Sequence, residues 1–119
     1  MSKDIKIIAE ICSNHNNDIN RCYKLIDKAK EIGCYAIKFQ LFKLDQLFHS
    51  SFIKSNKLNK LKKRELNLDY LPKISKHCKK KKIKFGCTPF DLESVDLLAP
   101  YVDFFKISSY EILWENLLK

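Results

Sequence analysis

One stretch, from Tyr35 to Phe42, constrains the fold more than any other part of the sequence. It is apolar enough to be a buried strand, yet it carries a lysine and a glutamine two positions apart, Lys38 and Gln40. Alternate residues of a β-strand share a face, so these two side chains would point together, away from the apolar ones. A buried ammonium group is costly unless something anionic meets it. The stretch therefore predicts either a strand whose lysine meets an anion or an edge strand whose lysine lies in water.

Three further apolar stretches repeat this pattern, each with a polar residue at or near its carboxyl end. The predicted strands are Ile5 to Ile11 with Glu10, Ile83 to Cys87 followed by Thr88, and Val102 to Ser108 with Lys106. Four strands that each deliver one polar group suggest a single shared site.

Helices are predicted between the strands because apolar residues recur there at helical spacing. The predicted helices run from about Ile19 to Ile32, from about Asn67 to Lys81 with a start nearer Tyr70, from Asp91 to Pro100, and from Leu113 to Lys119. This alternating order, with connections long enough for right-handed crossovers, predicts an α/β fold with a parallel sheet. The segment from Lys43 to Arg64 has only scattered apolar residues and is predicted to be a functional loop or an insertion.

The composition indicates a globular protein. With 119 residues, of which 45% are hydrophobic, the chain has room for one domain with a core. Its five cysteines include no C-x-x-C pair, which indicates reduced core residues, with Cys87 closest to the predicted site. No stretch approaches the roughly 20 apolar residues that span a bilayer, and Met1 to Asp4 runs into a strand instead of a signal peptide. We therefore expect a cytoplasmic protein without a membrane partner.

The net charge of +9 comes almost wholly from lysine, concentrated in two clusters, Lys57 to Arg64 and Lys79 to Lys82. Such charge is compatible with nucleic acid or an acidic membrane surface. Nucleic-acid readers, however, favour arginine forks and interleaved aromatic residues, which neither cluster has. We therefore expect no nucleic-acid partner, although a non-catalytic basic binding module remains the alternative function. The second cluster fits a helix C-terminus, which favours cations.

The carboxyl ends of parallel strands lie on one side of an α/β sheet, so polar residues there converge although they are distant in sequence. The residues at or just beyond the predicted ends are Glu10, Lys38, Gln40, Thr88, Lys106, Ser109 and Glu111. Two lysines and two hydroxyl groups suit a phosphate or carboxylate. The two glutamates could act on hydroxyl or carbonyl groups as acid, base or acceptor.

Each of these residues also has a purely structural interpretation. Glu10 and Lys106 could form an internal ion pair that braces the sheet, and Thr88 could cap the turn before Pro89. His15 is expected to brace its loop, and His49 and His77 are expected at the surface. The sequence has no histidine or cysteine spacing typical of a metal site and no glycine-rich phosphate loop.

Five stretches of the sequence resemble the sialic acid synthases, the phosphoenolpyruvate-condensing family that makes N-acetylneuraminate, legionaminate and pseudaminate. The matching stretches, in the family's order, are Ile8 to Ile11, Asn14 to Asn16, Ala36 to Gln40, Gly86 to Asp96 and Lys106 to Glu111. Together they extend over the whole chain, so the resemblance is specific although each motif alone is weak. Tyr110 stands where one branch of the family has glycine, which leaves the acceptor sugar open.

The resemblance implies a TIM barrel, (β/α)8, of which residues 1–119 would be the four N-terminal β/α units. It implies condensation of phosphoenolpyruvate with an N-acetylated hexosamine such as N-acetylmannosamine, with release of phosphate. The roles carried over are phosphoenolpyruvate binding for Lys38, Thr88, Lys106 and Ser109, sugar binding for Gln40 and Glu111, and catalysis for Glu10, with Lys38 and Glu111 also counted as catalytic. In the family, a divalent metal, manganese or magnesium, polarises the aldehyde.

The resemblance also implies that parts of the enzyme lie outside this chain. The family's histidine metal ligands lie on later strands, and its C-terminal domain, which resembles an antifreeze protein, is not expected in residues 1–119. A half-barrel leaves its first and last strands as open edges. We therefore expect self-association or completion by a missing half, and no metal site or condensation activity in this chain alone. The alternatives are an inactive fragment and another phosphoenolpyruvate-using barrel, such as a deoxyheptulosonate-type synthase.

Overall fold

A four-stranded parallel sheet in the order β1-β2-β3-β4 forms the centre of the protein, as seen in a computed structural model that describes residues 4–47 and 58–119. The strands are β1 (Ile8–Cys12), β2 (Ala36–Leu41), β3 (Lys84–Pro89) and β4 (Phe104–Phe105). All three pairings are parallel, so β1 and β4 are the edges of the sheet. The predicted parallel α/β fold is confirmed.

Helices follow the strands in the predicted order, with additional short ones after β2. They are α1 (Ile19–Glu31), α2 (Leu44–Leu47), α3 (Leu58–Lys62), α4 (Tyr70–Lys81), α5 (Leu92–Leu98) and α6 (Glu115–Leu118). The Asp18 carboxylate accepts hydrogen bonds from the first amides of α1, and Gly33 follows α1 with a φ of 87°, a conformation that favours glycine. Pro72 lies in the first turn of α4, where its missing amide is tolerated.

The core lies between one face of the sheet and helices α1 and α4. The buried apolar residues of β2 and β3 meet Cys22 and Ile26 of α1 and Ile74 of α4, all of them fully buried. Phe39 and Phe85 meet edge to face, with ring centroids 5.9 Å apart. Burial of this one face supplies the main driving force for folding. The opposite face of the sheet is not covered by these helices and carries Glu10, Lys38 and Thr88.

The predicted bounds of the edge strands and of β3 need correction. The predicted β4, Val102 to Ser108, contains only two strand residues, although the Lys106 amide still donates to the Cys87 carbonyl at 3.1 Å. Turns begin at Ser109, where the Glu111 amide bonds back to the Ser108 carbonyl. At the other edge β1 begins at Ile8, three residues later than predicted. β3 in contrast continues through Pro89, which pairs with Leu41.

Two further predictions concern the connection after β2 and a histidine. The segment predicted as a loop or insertion contains helices α2 and α3, and positions 48–57, with His49, lie outside the described residues. His77 was expected at the surface, but its side chain is only 18% exposed and its Nε2 lies 2.6 Å from the Asp27 carboxylate. Contact between α1 and α4 covers it, which the spacing within one helix does not predict.

Candidate functional site

Strand register aligns side chains into rows on the face of the sheet opposite the helices. The first row contains Ile8, Ala36 and Lys84, and the second contains Glu10, Lys38, Gly86 and Phe104. Gln40 pairs with Thr88 in a third row, nearer the carboxyl ends of the strands. Every second residue of a strand shares a face, so four of the predicted polar residues, Glu10, Lys38, Gln40 and Thr88, lie in the second and third rows.

The centre of the candidate site is the side chain of Lys38. Its Nζ lies 2.9 Å from Glu10 Oε2 and donates a hydrogen bond to Thr88 Oγ1 at 2.8 Å. The Lys38 side chain is only 5% exposed, whereas that of Glu10 is 43% exposed. Lys38 is therefore a buried cation with two partners, and the edge-strand interpretation with the lysine in water is wrong. Thr88, itself buried, acts as an acceptor from this cation, beyond any role in the following turn.

Glu10 is held on its other side by Cys12. The amide and the thiol of Cys12 both approach Glu10 Oε1, each at 3.3 Å. Cys12 adopts a φ of 52°, and the register with β2 shifts between Glu10 and Cys12. Burial, together with the hydrogen bond to Glu10 and its charge, raises the pKa of the Cys12 thiol, although Lys38 and Lys106 act in the opposite direction. The thiol therefore stays protonated at neutral pH and donates to the carboxylate.

Lys106 brings a second cation to the same end of the sheet. It follows β4, its side chain is exposed, and its charge acts to lower the pKa of the Cys12 thiol. Among residues 4–47 and 58–119, no carboxylate lies within 4.0 Å of its ammonium group, so Glu10 pairs with Lys38 and the predicted pair of Glu10 with Lys106 does not form. The cluster of Lys38, Lys106 and Glu10 thus carries one excess positive charge, which favours a small anion beside it.

The remaining predicted site residues lie at different distances from this cluster. Gln40 is half-buried beside Thr88 in the third row, and Ser109 is exposed in the turns after β4. Glu111 lines a separate open cavity together with Gln46, Phe90 and Trp114. Within the described part of the chain, Glu111 Oε2 is buried without a hydrogen-bond partner, and the contacts do not join it to Lys38. The structure thus brings Glu10, Lys38 and Thr88 into direct contact, with Gln40 and Lys106 nearby.

The loop after β1 is built around a buried histidine. His15 is fully buried against Phe39, with ring centroids 6.2 Å apart, and its Nδ1 accepts the Asn17 amide at 2.9 Å. Burial lowers the pKa of His15, so the ring is neutral. The Asn17 carbonyl in turn accepts from the Tyr70 hydroxyl at 3.0 Å, which fixes the loop to the start of α4. The expected bracing role of His15 is confirmed.

Cys87, the cysteine singled out by its position in the sequence, belongs to the helix-facing core. It is fully buried, and burial raises the pKa of its thiol to about 12. A thiol with so high a pKa is protonated and unreactive at neutral pH. It pairs with Phe39 and Phe105 in the register, on the face of the sheet away from Lys38.

The described residues do not fit a divalent metal ion. Nowhere in residues 4–47 and 58–119 do three or more histidine, cysteine, aspartate or glutamate side chains come together. Magnesium is bound through one or two carboxylates together with waters and substrate oxygens, and Glu10, the carboxylate of the cluster, is already held by Lys38 and Cys12. Within the same ranges, no helix has the length and apolar character needed to cross a membrane.

Sequence reasoning missed two contributors to the site. The sequence predicts only a core cysteine at Cys12, and its contact with Glu10 depends on an irregular register that the sequence pattern does not indicate. Phe104 was counted among the strand residues, and its ring lies over Gly86 on the face that carries Lys38. The available signal was a glycine inside a predicted strand, which often marks a site that another group approaches closely.

Comparison with known proteins gives a consistent result. The NeuB family model matches residues 25–119. The chain is 39% identical to the N,N'-diacetyllegionaminic acid synthase of Campylobacter jejuni, over 92% of this chain and 36% of that protein. It is 30% identical to the N-acetylneuraminate-9-phosphate synthase of Drosophila melanogaster, over 88% of this chain and 31% of that protein. The chain therefore spans about a third of the length of the curated relatives that it matches.

Solved structures show the same relationship in three dimensions. The N-acetylneuraminic acid (sialic acid) synthetase of Leptospira borgpetersenii, in complex with citrate, superposes with a TM-score of 0.86 at 31% identity. That match covers 98% of this chain and 40% of the solved chain. The spore coat polysaccharide biosynthesis protein SpsE of Bacillus subtilis gives a TM-score of 0.78 over 99% of this chain and 33% of that one. The four β/α units described above are the first half of the barrel in these proteins.

Proposed function

Because the chain belongs to the NeuB family of sialic acid synthases, we propose that it supplies the phosphoenolpyruvate-binding half of a nonulosonic acid synthase. The complete reaction joins C3 of phosphoenolpyruvate to the aldehyde carbon of an open-chain N-acetylated hexosamine, and one water molecule is consumed as inorganic phosphate leaves and C2 becomes a keto group. The observation that carries the proposal is the buried ammonium group of Lys38, held between Glu10 and Thr88 at the carboxyl end of the sheet.

The charges at this end of the sheet suit phosphoenolpyruvate. This substrate is small and carries a phosphate and a carboxylate, so it needs several cations and hydrogen-bond donors close together. Lys38 and Lys106 are the cations in our proposal, and Thr88 and Ser109 add hydroxyl groups. Lys38 already has a carboxylate partner in Glu10. The incoming anion therefore shares or displaces that partner, which frees the half-exposed carboxylate to accept a hydrogen bond from a hydroxyl group of the sugar and so orient it.

The acceptor sugar occupies the more open part of the site in this proposal. Gln40 would donate and accept hydrogen bonds from its position beside Thr88, and Glu111 would approach from the turns after β4. N-acetylmannosamine and the precursors of legionaminate and pseudaminate are the candidate acceptors, since the relatives include both legionaminic acid and N-acetylneuraminate-9-phosphate synthases. The metal that supports catalysis in the family would be bound by residues other than those described here.

Calorimetric titration of the chain with phosphoenolpyruvate at low ionic strength tests the proposal. Lys38→Ala should weaken binding at least about tenfold, because a charge-assisted hydrogen bond is worth roughly 1.5–3 kcal/mol. The matched control is Lys84→Ala, which removes one positive charge from the same face two residues before Gly86. Equal affinity for the wild type and the Lys38 variant, or no binding by the wild type, contradicts the proposal.

A second experiment tests whether residues 1–119 catalyse the condensation by themselves. We expect no manganese-dependent condensation of phosphoenolpyruvate with N-acetylmannosamine by residues 1–119 alone, because the described residues do not form a metal site. Product detected by mass spectrometry would overturn this expectation.

A third experiment concerns association. We expect self-association in analytical ultracentrifugation, since both sheet edges are open. A clean monomer with a cooperative melt contradicts that expectation.

A further inference from the structure

The room beside Lys38 is filled by a side chain from the far edge of the sheet. Gly86 lies directly between Lys38 and Phe104 in the second row. A Cβ atom added at Gly86 would overlap Cζ and Cε2 of Phe104, so the phenyl ring occupies the space above the glycine. Glycine is required at position 86 because the ring is there.

The Phe104 ring also borders a cavity on its side away from Thr88, which we call the lower cavity. An open cavity of about 410 Å³ is lined by Phe104 together with Ile8, Tyr35, Lys84 and Asp103, so it lies toward the first row and the amino ends of the strands. Lys38 extends in the opposite direction, since its ammonium group reaches Thr88 in the third row. Phe104 therefore separates the lower cavity from the cluster formed by Glu10, Lys38 and Thr88.

We infer that Phe104, seated over Gly86, is a positioning residue that forms the floor of the site and directs the Lys38 ammonium group toward Thr88. The inference rests on the proposed function for the ligand that Lys38 meets. Lys38 has Glu10 on one flank, and on the other flank Gly86 offers no side chain of its own. Without the ring, that flank would open to the lower cavity and its water, and the ammonium group would gain alternative positions. With the ring in place, the ammonium group is desolvated and fixed before a ligand arrives, which is what preorganisation of a binding site requires.

The first test compares phosphoenolpyruvate binding by four proteins: the wild type, Phe104→Ala, Phe104→Leu and Phe105→Ala. Phe104→Ala should weaken binding about tenfold, whereas Phe104→Leu, which keeps most of the apolar volume, should stay within about threefold of the wild type. Phe105→Ala is the matched control, because Phe105 is the next residue on β4 and points to the opposite face. Equal affinity for the wild type and Phe104→Ala, or an equal loss in Phe105→Ala, overturns the inference.

The second test is spectroscopic and does not depend on the ligand. The ammonium protons of Lys38 should exchange slowly enough for a distinct nitrogen NMR signal, assigned by its loss in Lys38→Ala. This signal should broaden or vanish in Phe104→Ala and survive in Phe104→Leu and Phe105→Ala. A signal that persists unchanged in Phe104→Ala overturns the inference. If Lys38→Ala leaves phosphoenolpyruvate affinity intact while the signal behaves as expected, the proposed function fails and the positioning role stands.

The third test uses the steric coupling between the two residues. Gly86→Ala should destabilise the fold, because the new methyl group meets the ring, and Phe104→Ala should relieve that clash in the double variant. The coupling is measured as a double-mutant cycle by urea unfolding. Additive effects of the two substitutions overturn the inference, because they would mean that the ring does not occupy the space over Gly86.

Discussion

The two faces of the sheet differ in what covers them. On the helix side, Phe39, Phe85 and Ile74 are at most 1% exposed and are packed between β2, β3 and α4. On the other side, Ile8 is 45% exposed and the Glu10 side chain is 43% exposed, around the buried ammonium group of Lys38. One face therefore stabilises the fold and the other carries the candidate site, so substitutions on the two faces should separate stability from binding.

The largest expected effect on stability comes from the helix-facing side. Phe39→Ala should lower the free energy of unfolding by about 3–5 kcal/mol, because it removes a fully buried ring from a close-packed core. Ile8→Ala, on the opposite face, should cost less than about 1 kcal/mol, because Ile8 is already half in water. Urea unfolding measures both values. Similar losses for the two variants would mean that the open face is packed against something in solution.

A smaller effect is expected from the ion pair on the open face. Glu10→Gln should cost about 1–2 kcal/mol, less than for a fully buried pair, because the Glu10 side chain is 43% exposed. Lys38→Met should cost a comparable amount, since its apolar side chain fills the same space but leaves the buried Thr88 hydroxyl and the half-exposed Glu10 carboxylate without their partner. Both variants should nevertheless lose phosphoenolpyruvate affinity. Thermal melts and calorimetry on the same samples give the two quantities, and a large loss of stability in Lys38→Met would make the pair a structural element.

The helix cap at the start of α5 should contribute as much as the ion pair, or less, to the free energy of unfolding. Asp91 Oδ1 accepts the Ser94 amide at 2.7 Å, and Oδ2 accepts the Ser94 hydroxyl at 2.8 Å, at the start of α5. Asp91→Ala should therefore cost about 1 kcal/mol, whereas Asp91→Asn should retain most of the stability because asparagine is also a good cap. Equal losses in urea unfolding for alanine and asparagine would assign the effect to charge instead of capping.

The sequence predicts the helix-facing side well because its signals are local. The apolar alternation of β2, the helical spacing of Cys22 and Ile26, and the constraint of Pro72 each depend on a few neighbouring residues. Convergence of Glu10, Lys38 and Thr88 also follows, because parallel topology places strand ends on one side. Periodicity and topology are therefore enough to find the centre of the site.

The parts that the sequence does not predict depend on tertiary contacts or on irregular backbone. β4 pairs over only two residues, a length set by the turns that follow it. Cys12 reaches Glu10 through a positive φ and a register shift, and Phe104 meets Gly86 across two strands. His77 meets Asp27 of α1 from α4, fifty residues further along the chain. Local patterns carry no information on such pairs.

The smallest expected effect concerns this contact between the two helices. The hydrogen bond from His77, followed by the charges of His77 and Lys81, lowers the pKa of the Asp27 carboxyl below its usual value of 3.8. A carboxyl group with a lowered pKa in the folded state stabilises the fold above its unfolded pKa, and this contribution is lost as the pH falls through the folded value. Because the Asp27 side chain is 46% exposed, solvent screening should keep the contribution below about 1 kcal/mol.

Asp27→Asn should therefore lower stability near neutral pH and flatten the decline between about pH 5 and pH 3. Asp96→Asn is the matched control, since it removes the same charge from an exposed position on α5. Urea unfolding across this range measures both variants against the wild type. Identical pH profiles for the two variants would show that net charge, and not the contact with His77, sets the acid stability of the helix-facing side.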